Sequence, residues 1–243
     1  MGKLSGKVAI VTGASRGIGR GIARALAKEG ANLVINSRSA DALQDSADEM
    51  RGYGVEVVEH AGDCADETVV EGMFTALQER FGNIDLLVNN AGTFEGGPLD
   101  ELSIADWDRV INTNLRAPFL CTRLAMQMMK QQKSGRIINI GSISAHRVRP
   151  HSAPYSTSKH GILGLTQVTA LEGREHGITC GCLQPGNILT ERRDSSESDV
   201  DQEPMISVDE LAEVALLMAT LPENVEMLEA IVLPRNQLYV GRG

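Results

Sequence analysis

The chain has 243 residues, 42% of them hydrophobic and 23% charged, with 23 lysines and arginines against 32 aspartates and glutamates for a formal net charge of −9. That balance opposes a phosphate backbone or an anionic bilayer as the main partner, so neither nucleic acid nor membrane is expected to bind it. No apolar run approaches the ~18 residues of a membrane span, and the composition is that of a globular protein able to bury a sizeable core, read as one domain over 1–243.

Met1-Gly2-Lys3-Leu4 lacks the apolar stretch of a secretion signal, and Gly6 stands where an acylation motif needs Ser or Thr. A cytoplasmic location is expected. Cys64, Cys121, Cys180 and Cys182 contain no C-x-x-C pair and read as reduced, buried thiols, with no metal site. Short β-rich runs at 8–11, 33–35, 55–58, 86–88, 136–140, 178–183 and 230–233 alternate with helical patterns at 18–29, 41–52, 67–81, 105–131, 154–176 and 208–221. This alternation predicts an α/β fold: a doubly wound, seven-stranded parallel sheet with helices on both faces, the Rossmann architecture. The polar stretch 191–203 holds six acidic residues against Arg192 and Arg193 and reads as a loop, either a plain connection or a lid over substrate.

After the first strand comes Thr12-Gly13-Ala14-Ser15-Arg16-Gly17-Ile18-Gly19, leading straight into a helix. Glycines permit a tight turn and let backbone N–H groups approach a pyrophosphate, so Gly13, Ser15, Arg16, Gly17, Ile18 and Gly19 are candidate dinucleotide-binding residues. The second strand ends Asn36-Ser37-Arg38-Ser39, without the carboxylate that usually meets an NAD ribose there. Arg38, with Arg16, suits a 2′-phosphate instead, and Ser37 stands where the carboxylate is missing; both Ser37 and Arg38 are cofactor-binding candidates, and NADP(H) is expected over NAD(H). Pro154 suits a first helical turn, which sets Tyr155 near a helix start with Lys159 four residues on along the same face. A phenol beside an ammonium is a usable general acid/base. In the predicted 105–131 helix, Pro118 has no N–H to give the carbonyl of Asn114, leaving an acceptor for a water that relays protons.

With these residues in place, the chain strongly resembles the short-chain dehydrogenase/reductase family over almost its whole length. The resemblance rests on the glycine turn 12–19, Asp63 after the third strand, Asn89-Asn90-Ala91-Gly92 after the fourth, Asn114, Ser142 thirteen residues before Tyr155, Lys159, and Pro185-Gly186 followed by Thr190. It implies that Tyr155 exchanges a proton with the substrate oxygen, Ser142 hydrogen-bonds that oxygen, Lys159 binds the nicotinamide ribose and assists Tyr155, and Asn114 holds the relay water. It further implies that Asp63 contacts adenine, Asn90 and Gly92 line the adenosine side, and Ile188 and Thr190 hold the carboxamide or phosphates. Cys64, Ala91, Pro185 and Gly186 are carried over as cofactor-contacting neighbours.

The implied activity is reversible, NADP-dependent reduction of a ketone or aldehyde in a homotetramer acting on a small molecule. The tail Glu229-Ala230-Ile231-Val232-Leu233-Pro234, then Gln237-Leu238-Tyr239, departs from the family's usual ending and is similar to the branch whose members interconvert short 3-hydroxy and 3-oxo acids and related semialdehydes, which hints at a short hydroxy/oxo acid as substrate; a 3-oxoacyl group is the other substrate weighed. The weighed alternatives are a catalytically inactive dinucleotide-binding regulator and an epimerase or dehydratase.

Overall fold

The computed structural model describes residues 2–191 and 203–239. Arg192 and Arg193 lie outside the described residues. Strands β1 (Val8–Thr12), β2 (Asn32–Ser37), β3 (Val57–Ala61), β4 (Leu86–Asn89), β5 (Gly135–Ile140), β6 (Ile178–Pro185) and β9 (Glu229–Val232) form one parallel sheet in the order β3-β2-β1-β4-β5-β6-β9. A separate parallel ladder pairs β7 (Ile188–Leu189) with β8 (Ile206–Ser207).

Alternation along the strands divides the core between the two faces of the sheet. Ala9, Val11, Leu33, Ile35, Val88 and Ile140 pack on one face with α1 (Gly17–Lys28), α2 (Ala40–Arg51) and α7 (Val208–Thr220), through Ile22, Leu26, Leu43, Met50 and Leu211. Val8, Ile10, Val34, Leu87, Ile137 and Cys180 pack on the other with α3 (Glu67–Arg80), α5 (Ala117–Gln132) and α6 (Ala153–Gly173), through Met73, Leu77, Leu120, Met129 and Ala170. Both faces being covered explains why the strands read as continuous apolar runs. All four cysteines are free and buried.

Most boundaries shift by a residue or two from the sequence reading, and three differences bear on the site. The third strand runs Val57–Ala61 rather than 55–58, because its register sets Val57 against Leu33 and continues through Glu59 and His60, polar residues that pair with Ile35 and Asn36. The sixth extends to Pro185, where pairing with β9 continues to Val232. The helix expected over 105–131 is interrupted: α4 (Ile104–Ile111) passes into a π-helical turn, Asn112–Arg116, before α5. Pro118 cannot donate to Asn114 and its ring crowds that carbonyl, so the backbone widens there and Ala117 N–H reaches back five residues to Asn112.

Candidate active site

The strand order reverses between β1 and β4, which opens a crevice at the carboxyl ends of these two strands. Thr12 and Asn90 hold its walls together. Thr12 Oγ1 accepts the N–H groups of Asn90 at 3.0 Å and Ala91 at 3.1 Å, while Asn90 Nδ2 donates to Thr12 O at 2.9 Å and Gly13 O at 3.1 Å. Gly13 has φ +64°, and a Cβ there would come 2.9 Å from Ala91 Cα, so the turn demands glycine. A Cβ at Gly19 would meet Asn90 Nδ2 and Gly13 O at 2.3 Å, which fixes the close approach of α1 to the strand ends.

Helix α1 starts with no side-chain cap and no acidic residue in its first turn. Its open N–H groups and positive dipole end favour an anion. The Gly17 N–H donates to Glu191 Oε2 at 3.0 Å, so a carboxylate of the chain itself marks the anion position, and the cradle fits a pyrophosphate. Thr190 borders the same point, with Cγ2 3.5 Å from where a Gly17 Cβ would stand. Ser15 is half-buried, Arg16 is exposed, and Ile18 packs against the core.

At the end of β2, Ser37 is buried with Oγ donating to Ser39 O at 3.0 Å, while Arg38 is exposed. Neither Arg16 nor Arg38 enters an ion pair with the described residues. Asn36 Nδ2 donates to His60 O at 2.8 Å and Gly62 O at 3.1 Å, tying in the turn after β3. The buried Cys64 thiol donates to Asn36 Oδ1 at 2.8 Å, whereas Asp63 is exposed with Oδ1 accepting Ala65 N–H at 2.9 Å.

The second half of the crevice lies past β5. Lys159 is buried, and its Nζ sits 5.5 Å from the Tyr155 ring centroid while donating to Ile140 O at 2.9 Å. The catalytic candidates on α6 are thereby pinned to the end of β5, two residues before Ser142. Phe94 meets the Tyr155 ring edge-on, with centroids 5.2 Å apart. Ser142 Oγ accepts the Ser144 N–H at 3.1 Å, and its own N–H donates to Gln184 Oε1 at 2.6 Å.

Asn114, buried in the π turn, binds Thr93 reciprocally: Thr93 N–H donates to Oδ1 at 2.8 Å and Nδ2 donates to Thr93 O at 2.9 Å. Its Nδ2 also donates to Ser158 Oγ at 3.1 Å, and that hydroxyl donates to Tyr155 O at 2.7 Å. The Asn114 side chain thus locks the loop after β4 to the first turn of α6. A Cβ at Gly92 would lie 3.6 Å from Asn114 Oδ1, so the adenosine-side candidates abut this lock.

Past β6, Gly186 N–H donates to Val232 O at 2.8 Å and Asn187 N–H to Gln237 Oε1 at 2.9 Å. Ile188 is buried and Thr190 half-buried. Burial pushes the Cys182 thiol, on β6, up to about 12, against the opposing pull of Lys159. The structure therefore gathers the glycine turn, Asn90–Gly92 and Thr190 at one end of the crevice, and Tyr155 with Lys159 at the end of β5. Sequence reasoning missed Thr93, Ser158 and Gln184, each a partner through space with no spacing signal of its own, and met Gln237 only as part of the tail.

This architecture and crevice are those of a nucleotide-binding oxidoreductase. A family model described as short chain dehydrogenase matches residues 7–201, and the chain belongs to the short-chain dehydrogenase/reductase family. It is 41% identical over 188 residues to D-beta-hydroxybutyrate dehydrogenase of Cupriavidus necator, covering 77% of this chain and 72% of that one. It is 37% identical over 200 residues to a 3-oxoacyl-acyl-carrier-protein reductase of Synechocystis, covering 82% of this chain and 81% of that one. Among solved structures, a metagenomic short-chain oxidoreductase in complex with NADP superposes with TM-score 0.85 at 35% identity, covering 97% of this chain and 100% of that one. An alcohol dehydrogenase of the archaeon Thermococcus sibiricus complexed with 5-hydroxy-NADP gives TM-score 0.87 at 31% identity, covering 95% and 97%.

Proposed function

We propose that the protein is an NADP(H)-dependent reductase of ketones or aldehydes, running reversibly as a secondary-alcohol dehydrogenase with Tyr155 as general acid/base. The observation that carries this reading is the buried Lys159 ammonium, 5.5 Å from the Tyr155 ring centroid and anchored on Ile140 O. A fixed cation favours the phenolate left when Tyr155 gives its proton to a substrate oxygen. Ser142 Oγ already accepts the Ser144 N–H, which leaves its own hydrogen free to be donated to that oxygen. The nicotinamide cofactor, when bound, supplies the hydride. Gly13–Gly19 and the open end of α1 would hold the pyrophosphate, Asp63, Asn90 and Gly92 the adenosine side, and Ile188 and Thr190 the nicotinamide side, with the Asn114 backbone carbonyl holding a relay water.

The exposed Arg16 and Arg38, with no carboxylate at the end of β2, support NADPH over NADH. The likenesses to a hydroxybutyrate dehydrogenase and a 3-oxoacyl reductase support a short oxo acid or 3-oxoacyl group as substrate. We read the assembly as a single-domain chain in a cytoplasmic homotetramer.

The test is NADPH oxidation against acetoacetate, ethyl acetoacetate, a 3-oxoacyl thioester, simple aldehydes and nucleotide sugars. Turnover of at least one of the oxo compounds is expected, with Tyr155→Phe lowering kcat ~10²–10⁴-fold while NADPH still binds. Tight NADPH binding without oxidation of any carbonyl would reassign the chain as a non-catalytic dinucleotide binder. Ser37→Asp with Arg38→Ala should reverse the cofactor preference, and equal wild-type efficiency with NADH would refute the arginine argument.

A further inference from the structure

Gln184 on β6 is completely buried, and its amide bridges two groups whose hydrogen-bonding roles are fixed. At one end it faces the Ser142 N–H, which only donates, so the atom at 2.6 Å is the carbonyl oxygen Oε1. At the other, Nε2 donates to Glu229 Oε1 on β9 at 3.0 Å, where an ionised carboxylate only accepts. The two partners dictate the same orientation of the amide. Glu229 Oε1 also pairs with His146 Nε2, and His146 lies just beyond the short turn that Ser142 begins.

The chain of contacts Ser142, Gln184, Glu229, His146 therefore leaves the turn at one end and returns to it at the other. Between those ends, Ser144 N–H donates to Ser142 Oγ and Ala145 N–H to Ser142 O at 2.9 Å. Gly141 makes room for this arrangement: a Cβ there would fall 2.0 Å from Gln184 Oε1.

We propose that Gln184 and Glu229, with His146, are positioning residues that fix the backbone of the Ser142 turn from β6 and β9, and through it the place of the Ser142 hydroxyl. The inference rests on the reductase reading of the same site. Carboxylate, amide and backbone N–H form a one-way series of donors and acceptors, and reversing any member breaks it.

The series makes exchange variants informative. Gln184→Glu sets two carboxylates against each other. Glu229→Gln replaces a charged acceptor with a neutral amide, which weakens the bond from Gln184 Nε2 and the pairing with His146. The double variant restores an acceptor facing Ser142 and a donor facing that acceptor. With the panel substrate reduced fastest by wild type, Gln184→Glu is expected to lower kcat at least about tenfold and Glu229→Gln about fivefold, each leaving the NADPH Kd within about twofold. The double variant should recover kcat to within about threefold of wild type, which loss of packing alone would not produce.

Single variants that keep kcat within about twofold overturn the proposal, as does a double variant no better than Gln184→Glu while melting like wild type. If Gln184→Glu does not fold, Glu229→Gln decides the matter, because its side chain is partly exposed, and an unchanged kcat there overturns the positioning role. A wild type that reduces nothing on the panel defeats both readings. Normal wild-type turnover with insensitive variants defeats only this one.

Discussion

Glu191 places a carboxylate on the Gly17 N–H, at the start of a helix that has neither a side-chain cap nor an acid of its own in the first turn. A dinucleotide pyrophosphate binding there must displace or repel that charge. Charge at a helix N-terminus is worth ~0.3–1 kcal/mol, so Glu191→Gln should tighten NADPH binding about two- to fivefold. Fluorescence titration reads this directly, and an unchanged or weaker Kd would remove the carboxylate from competition for the site. The thiols supply a second residue-scale expectation. Burial pushes the Cys182 thiol up to about 12 and raises Cys180 further, so neither forms a thiolate near neutral pH. An aromatic disulfide reagent at pH ~8 should leave both unlabelled in the native protein and react with all four cysteines once guanidinium has unfolded it. Rapid native labelling of either would contradict their enclosure.

Helices α1 and α7 meet where Gly21 faces Val208: a Cβ on Gly21 would lie 2.1 Å from Val208 Cγ1. The branched neighbour is stiff, so Gly21→Ala is expected to cost ~1–3 kcal/mol and to lower Tm by ~2–4 °C for each of them, with Val208→Ala restoring part of the loss. Non-additivity in that pair is the measurement, and simple addition would disprove direct contact. The same helix begins with a capping box in which Ser207 and Glu210 exchange hydrogen bonds. Bonds from Ser207 hold the Glu210 carboxyl below its ordinary value, so its stabilising contribution is complete above the normal carboxylate range and fades as pH falls through the depressed value. Much of this element-level order is legible in the sequence, because apolar strands and 3.6-residue periods alternate from end to end, and the four-residue spacing of Tyr155 and Lys159 already places them on one helix face. The π turn at Asn112–Arg116 is not, since a proline's effect on its helix depends on whether neighbours can accommodate a wider turn, here through Thr93 and Ser158 holding Asn114. Gln184 is equally silent in one dimension: one partner lies just past the end of β5 and the other on β9, forty-two and forty-five residues away.

At the scale of the molecule, the outer side of α6 exposes large apolar side chains. His160, Gly164, Val168 and Leu171 follow one another at helical spacing on the face opposite the core. Val168 is 51% and Leu171 62% exposed, and a Cβ on Gly164 would meet nothing within 4 Å, so a second helix has room to approach closely. Phe119 on the neighbouring α5 is also 49% exposed. A second copy of the same chain is the self-consistent occupant, since a patch on one helix meets its own image across a two-fold axis. The helix that would be covered is also the one that carries Tyr155 and Lys159, which ties the stability of the catalytic turn to association. One such contact closes a dimer, and the tetramer proposed above needs a second two-fold contact on another face, for which light scattering should give four chain masses for the wild type at micromolar concentration. Val168→Glu with Leu171→Glu should yield a smaller species that melts lower, because like charges would face each other across the axis in place of apolar contact. Wild type running as a stable monomer would end the proposal. A charged double variant that still runs as a tetramer would move the contact to another face of the molecule, leaving the crevice chemistry as argued.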